Sequence, residues 1–104
     1  EQDPSNAGWQ RDLAAAHSRV GAVLQAQGKL GEAQAAFAEN LAISRRLAAQ
    51  DPSNAGWQLD LAAAQNCVGA VLQAQGKLDE AQAAFAEALA ISRRLAEQDP
   101  SNAG

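Results

Sequence analysis

The sequence predicts an all-α chain, an α-solenoid built from antiparallel helical hairpins, and three observations carry that prediction. Alanine, the strongest helix former, occurs 27 times. The stretch Asp3–Gln50 aligns without a gap onto Asp51–Gln98, giving an internal period of 48 residues. Within each unit the apolar residues return at spacings of three and four, which marks one face of a helix.

The two units are read as residues 1–50 and 51–98. Of the 48 aligned positions 41 are identical, and seven differ: Arg11/Leu59, His17/Gln65, Ser18/Asn66, Arg19/Cys67, Gly31/Asp79, Asn40/Ala88 and Ala49/Glu97. "EQDPSNAG" opens the chain at Glu1–Gly8 and closes it at Glu97–Gly104, so residues 99–104 read as the truncated start of a third unit. On this reading the chain is a length of a longer array.

The first helix of each unit follows "DPSNAG", where the Asp-Pro pair interrupts any preceding helix and signals a new start. From Trp57 the stripe runs through Leu61, Ala64, Val68, Val71 and Leu72, and Gly76 ends it. The second helix starts near Leu78, where Asp79 and Glu80 suit the positive end of the helix dipole. It runs to the next Asp-Pro, with Arg93 and Arg94 near its negative end. The first unit repeats this pattern from Trp9 to Gln50.

The two helices differ in how much surface they need to bury. Leu78, Ala81, Phe85, Ala88, Leu89, Ile91 and Leu95 cover a broad arc that a single neighbour leaves open. Two neighbours close it: the hairpin mate and the first helix of the next unit. The residues expected to carry this stacking are Trp9, Leu13, Phe37 and Leu41 in the first unit. In the second they are Trp57, Leu61, Phe85, Leu89, Ile91 and Leu95. Two units fall short of the three or so such arrays usually need, and no polar capping helix is present. Leu89, Ile91 and Leu95 are therefore expected to lie open at one end, and Trp9 and Leu13 at the other. Copies are expected to form a homo-oligomer through these ends, head to tail or as a symmetric pair.

Composition narrows the function classes. No apolar run approaches the length of about 18 residues that spans a membrane. The N-terminal residues are polar and acidic, unlike a signal peptide, and a cytoplasmic location is expected. The net charge is −4 and no long basic run exists, which argues against nucleic acid or an anionic membrane as partner. A single cysteine, Cys67, allows no internal disulfide and suits a reducing compartment. The one histidine, His17, has no second ligand near it, so no metal and no cofactor is expected. No Ser-His-Asp or Cys-His set can be assembled, and the second unit lacks histidine altogether. "GAVLQAQGK" (Gly21–Lys29) departs from a phosphate loop in its glycine spacing, in lacking a Ser or Thr after the lysine, and in lying within a helix. The chain reads as non-catalytic.

The stretch "NCVGAVLQAQGKLDEAQAAFAEALAI" (Asn66–Ile91) resembles the tetratricopeptide repeat, a family of helical hairpins with units of about 34 residues. The small residue, turn glycine, alanine, aromatic and alanine of that pattern fall on Gly69, Gly76, Ala81, Phe85 and Ala88. In the first unit they fall on Gly21, Gly28, Ala33, Phe37 and Asn40. The wording is closest to long-unit variants such as those of kinesin light chains and bacterial arrays. Three positions depart from the pattern. His17 and Gln65 replace an aromatic, Arg45 and Arg93 replace a proline, and Asn40 replaces a small apolar residue. The additional residues around "AAQDPSNAGWQRDL" are expected to lengthen both helices, with Trp9 and Trp57 anchoring the added turns.

The resemblance implies a protein or peptide partner, held along the concave face lined by first helices. The face opposite the apolar stripe carries Arg11, Ser18, Arg19, Ala22 and Gln25 in the first unit. In the second it carries Leu59, Asn66, Cys67, Ala70 and Gln73. Three of the seven differences (11/59, 18/66, 19/67) fall on this face, and they read either as ligand-facing diversification or as drift at solvated positions. Ala22 and Ala70 stand where relatives that clamp a terminal carboxylate need a polar side chain, so no such clamp is expected. The other reading is a self-assembling solenoid element, a rod or filament without a specific peptide ligand. Asn40 lies within the apolar arc of its helix, either as a buried polar residue that fixes register or as a substitution tolerated beside the next unit.

Overall fold

The computed structural model describes residues 6–98, and four α-helices account for nearly all of them: α1 (Ala7–Ala26), α2 (Leu30–Gln50), α3 (Ala55–Ala74) and α4 (Leu78–Gln98). Each element of the second hairpin lies 48 residues after its counterpart in the first. The start of a third unit at 99–104 lies outside the described residues.

Helix starts are set by asparagine. Asn6 and Asn54 have extended backbones, and their Oδ1 atoms accept from the N–H of Trp9 (3.1 Å) and Trp57 (3.0 Å). The first helices therefore begin at Ala7 and Ala55, two residues before the tryptophans expected to open them. Between the hairpins, the Ser53 N–H and Oγ both donate to Asp51 Oδ1, and the Asn54 N–H donates to the Asp51 carbonyl. This turn delivers Asn54 to its capping position.

The hairpin turns close on glycine. Gly28 (φ 80°) and Gly76 (φ 82°) occupy the left-handed region that an L side chain rarely adopts. The Lys29 N–H donates to the Leu24 carbonyl and the Gly28 N–H to that of Gln25, and Lys77 and Gly76 repeat the pair. These are the two bonds that terminate a helix with a glycine just past its end.

The helices stack in chain order. α2 packs against both α1 and α3, α4 packs against α3, and α1 scarcely touches α3. Three apolar clusters hold this arrangement. In the first, Ala14 of α1 meets Ile43 and Leu47 of α2, with Trp57 of α3 against them. In the second, Leu24 of α1 joins Ala33 and Phe37 of α2 and Val71 of α3. The third lies inside the second hairpin and contains Ala62, Ala88 and Ile91, flanked by Leu61 and Leu95. The broad arc of the second helix is thus satisfied in α2, which has a neighbour on either side.

The expected stacking residues divide. Phe37 is 2% exposed, Trp57 is half-buried between hairpins, and Leu41 is half-buried. Trp9 (40%), Leu13 (50%) and Leu89 (53%) are open to solvent, in line with their place at the two ends. Ile91, expected to be open as well, is 4% exposed, because its side of α4 faces Ala62 of α3 within the hairpin. Leu95, also expected to be open, is half-buried against that same cluster for the same reason, Leu61 packs there too, and Phe85 is half-buried. No helix among the described residues is long and apolar enough to cross a membrane.

One contact fixes the spacing inside each hairpin. A Cβ built on Gly21 would lie 2.6 Å from the Phe37 ring, and one on Gly69 would lie 2.7 Å from that of Phe85. The ring lies flush on helix backbone, a closeness only glycine permits. Gly21→Ala should therefore destabilise the fold by about 1–3 kcal/mol through overpacking. Gly31→Ala, at a helical position with nothing within 4 Å, should be neutral or stabilising by up to about 1 kcal/mol. Urea unfolding followed by circular dichroism measures both.

Candidate functional site

Small side chains leave room where α1, α2 and α3 meet, and a cleft of about 420 Å³ opens there. Its α1 wall repeats at helical spacing, with Gly8, Arg11 and Asp12, Ala15 and Ser18 on one side of the helix and Ala14 nearby. Asn40, Ser44 and Leu47 of α2 form the floor, and Asp60 and Ala63 of α3 the far wall. Gly8 and Ala15 on the α1 wall and Ala63 on the far wall leave the space between the helices unfilled.

Polar groups sit at two depths. At the rim, Arg11 Nε donates to Asp60 Oδ2 at 2.7 Å and ties the first hairpin to the second. Both side chains are well exposed, so the pair orients the guanidinium more than it stabilises the fold. At the floor, the Ser44 hydroxyl donates to Asn40 Oδ1 at 3.2 Å. Asn40 is 9% and Ser44 2% exposed. Asn40 is thus a buried polar residue, and its partner lies one helical turn further along the same helix. With Asp12 and Asp60 against Arg11 alone, the lining carries one more carboxylate than cation.

Of the ten residues expected to line a groove, the cleft gathers Arg11 and Ser18. Arg19, Ala22, Leu59, Asn66 and Gln73 are exposed on the first helices away from it, and Gln25 and Ala70 are half-buried. Cys67 departs from expectation: it packs against the Ala33–Phe37–Val71 cluster between the hairpins, since its side of α3 faces α2. Asp12, Asn40, Ser44 and Asp60 were not anticipated. The signal for Asn40 was available, as a polar residue within an apolar arc and one of the seven differences. Asp60 is invisible to repeat comparison because its counterpart, Asp12, is identical.

Three of the seven differences, Arg11/Leu59, Ser18/Asn66 and Asn40/Ala88, have their first-unit member in this single cleft. The second unit has no equivalent polar floor, since Ala88 replaces Asn40 and Ser92 is exposed. Among the described residues no group of three or more His, Cys, Asp or Glu side chains is placed to hold a metal ion.

Two substitutions separate stability from site. Arg11→Leu, which installs the second-unit residue, should change stability by less than about 1 kcal/mol because the ion pair is exposed. Asn40→Ala should cost about 1–3 kcal/mol by leaving the buried Ser44 hydroxyl without its acceptor. Thermal melts of the two variants should rank in that order.

Two family models, both described as tetratricopeptide repeat, match the chain, one over residues 13–52 and the other over 60–103. Each match covers most of one hairpin. No curated protein and no solved structure matches it.

Proposed function

Because the chain belongs to the tetratricopeptide repeat family, whose members generally serve as protein-interaction scaffolds, we propose that it is a non-catalytic scaffold whose α1–α2–α3 cleft receives a peptide segment of a partner protein. One observation carries this reading: three of the seven positions at which the units differ converge on that cleft, while the frame around it is unchanged. Asn40 suits the role chemically. A carboxamide offers an acceptor and two donors, the complement of a peptide group, and burial strengthens such bonds by excluding water. Arg11, oriented by Asp60, and Asp12 add charge selectivity at the rim. From the cleft the binding face extends along Ala22 and Gln25 of α1 and along Leu59, Asn66, Ala70 and Gln73 of α3. The free thiol of Cys67, half-buried among apolar side chains, fits a cytoplasmic setting.

A phage-displayed random peptide library selected on the immobilised 104-residue chain tests the proposal. Enriched peptides should bind a triple variant carrying the second-unit residues (Arg11→Leu, Ser18→Asn, Asn40→Ala) at least tenfold more weakly. Absence of enrichment, or peptides indifferent to the triple variant at equal helicity, overturns it.

A second reading, a self-assembling solenoid element, is favoured by a different observation: apolar side chains stand exposed along the outer faces of α1 and α4.

A further inference from the structure

The contact between α2 and α3 shows what the outer faces of α1 and α4 are shaped to meet. On α3, the side chains that pack towards α2 include Val68 and Val71, with Trp57 nearer the helix start. Ala64 and Val71 are both 0% exposed. Their counterparts on α1 are the same residue types in the same register: Trp9 (40%), exposed Ala16, Val20 (53%) and Val23 (58%). The complementary face shows the same contrast. Phe37 (2%), Ser44 (2%), Leu47 (3%) and Ala48 (4%) are covered on α2. Phe85 and Leu95 are half-buried and Ser92 and Ala96 exposed on α4.

We infer that a second copy of this chain occupies these faces, head to tail, with α1 of one copy laid on α4 of the next in the register of α3 on α2. The occupant is identified by the internal interface itself, where the same two surfaces already meet. This inference deepens the self-assembly reading and is independent of peptide binding in the cleft. The direction follows from geometry. The two faces differ, so the contact is heterologous, and each added copy presents the same free faces to the next.

The junction between copies differs from the internal one at named positions. Arg19 stands where Cys67 packs against the Phe37 cluster, so its guanidinium must reach past the interface to water while its stem covers apolar surface. Leu59 stands where Arg11 would meet the incoming Asp12, so the 2.7 Å ion pair has no equivalent. Both changes remove favourable terms that the internal contact has, and association between separate copies is concentration-dependent by mass action.

Sedimentation velocity on the 104-residue chain and two variants tests the inference. Val23→Lys blocks the α1 face and Ala96→Lys the α4 face; both residues are exposed, both sit in the last turn of a helix where a cation is tolerated, and neither lines the cleft. The unmodified chain should show a mean mass that rises with concentration, with no fixed end point. Each variant alone should associate at least tenfold more weakly. Mixed in equal amounts, they should form a one-to-one dimer and nothing larger, because each supplies the face the other lacks. A chain that stays monomeric at millimolar concentration overturns the inference, as does a mixture that fails to pair. Self-association of the Ala96→Lys variant would show a symmetric α1 pair, and that of Val23→Lys a symmetric α4 pair; either outcome also overturns it. Circular dichroism equal to that of the unmodified chain establishes that the variants fold. Peptide selection on the variants reports on the cleft separately.

Discussion

Phe37 reaches near-complete burial only because two helices close on it from different sides. Gly21 of α1 has no side chain to hold the ring away, and Val71 of α3 covers what α1 leaves open. An α-helix whose apolar residues occupy half its circumference gains little from a single neighbour, since much of the arc stays wet. The same ring in the second hairpin, Phe85, finds its glycine at Gly69 and is only half-buried, since among the described residues α4 packs against α3 alone. The difference between these two phenylalanines is the solenoid principle within one molecule: each hairpin is completed by its successor in the stack.

Much of this architecture is legible in the sequence. Helix number, hairpin pairing and the two-sided burial of α2 follow from the 48-residue period and the width of the apolar arc, and the turn glycines mark both hairpin ends. The asparagine caps are less conspicuous in the sequence than the Asp-Pro pair, although the Asn three residues before each tryptophan is the residue whose side chain accepts that tryptophan's N–H. Ile91 was misplaced for a different reason. A helical wheel shows that a residue lies within the arc but not which of two neighbours it faces, and Ile91 turns towards its hairpin mate.

The cleft was harder to read than the fold. It is built by three helices, two of them from the first unit and one from the second, so no single stretch of sequence contains it. Cys67 illustrates the limit. It sits on the face opposite the main stripe by periodicity, yet half-buried contact with the Phe37 cluster reclaims it for packing. The alanine content that made the chain look featureless is what makes the cleft: larger residues at Ala15 and Ala63 would fill it.

Near-identity has a further cost that falls on folding rather than on the finished molecule. With 41 of 48 side chains shared, α1 and α3 offer a collapsing chain almost the same surface, and α2 and α4 do likewise. Wrong pairings therefore compete with right ones on nearly equal terms, the circumstance in which repeat proteins misassemble or exchange segments. The ion pair between Arg11 and Asp60 is a contact between the hairpins that the repeat does not duplicate, because Leu59 stands at the counterpart of Arg11.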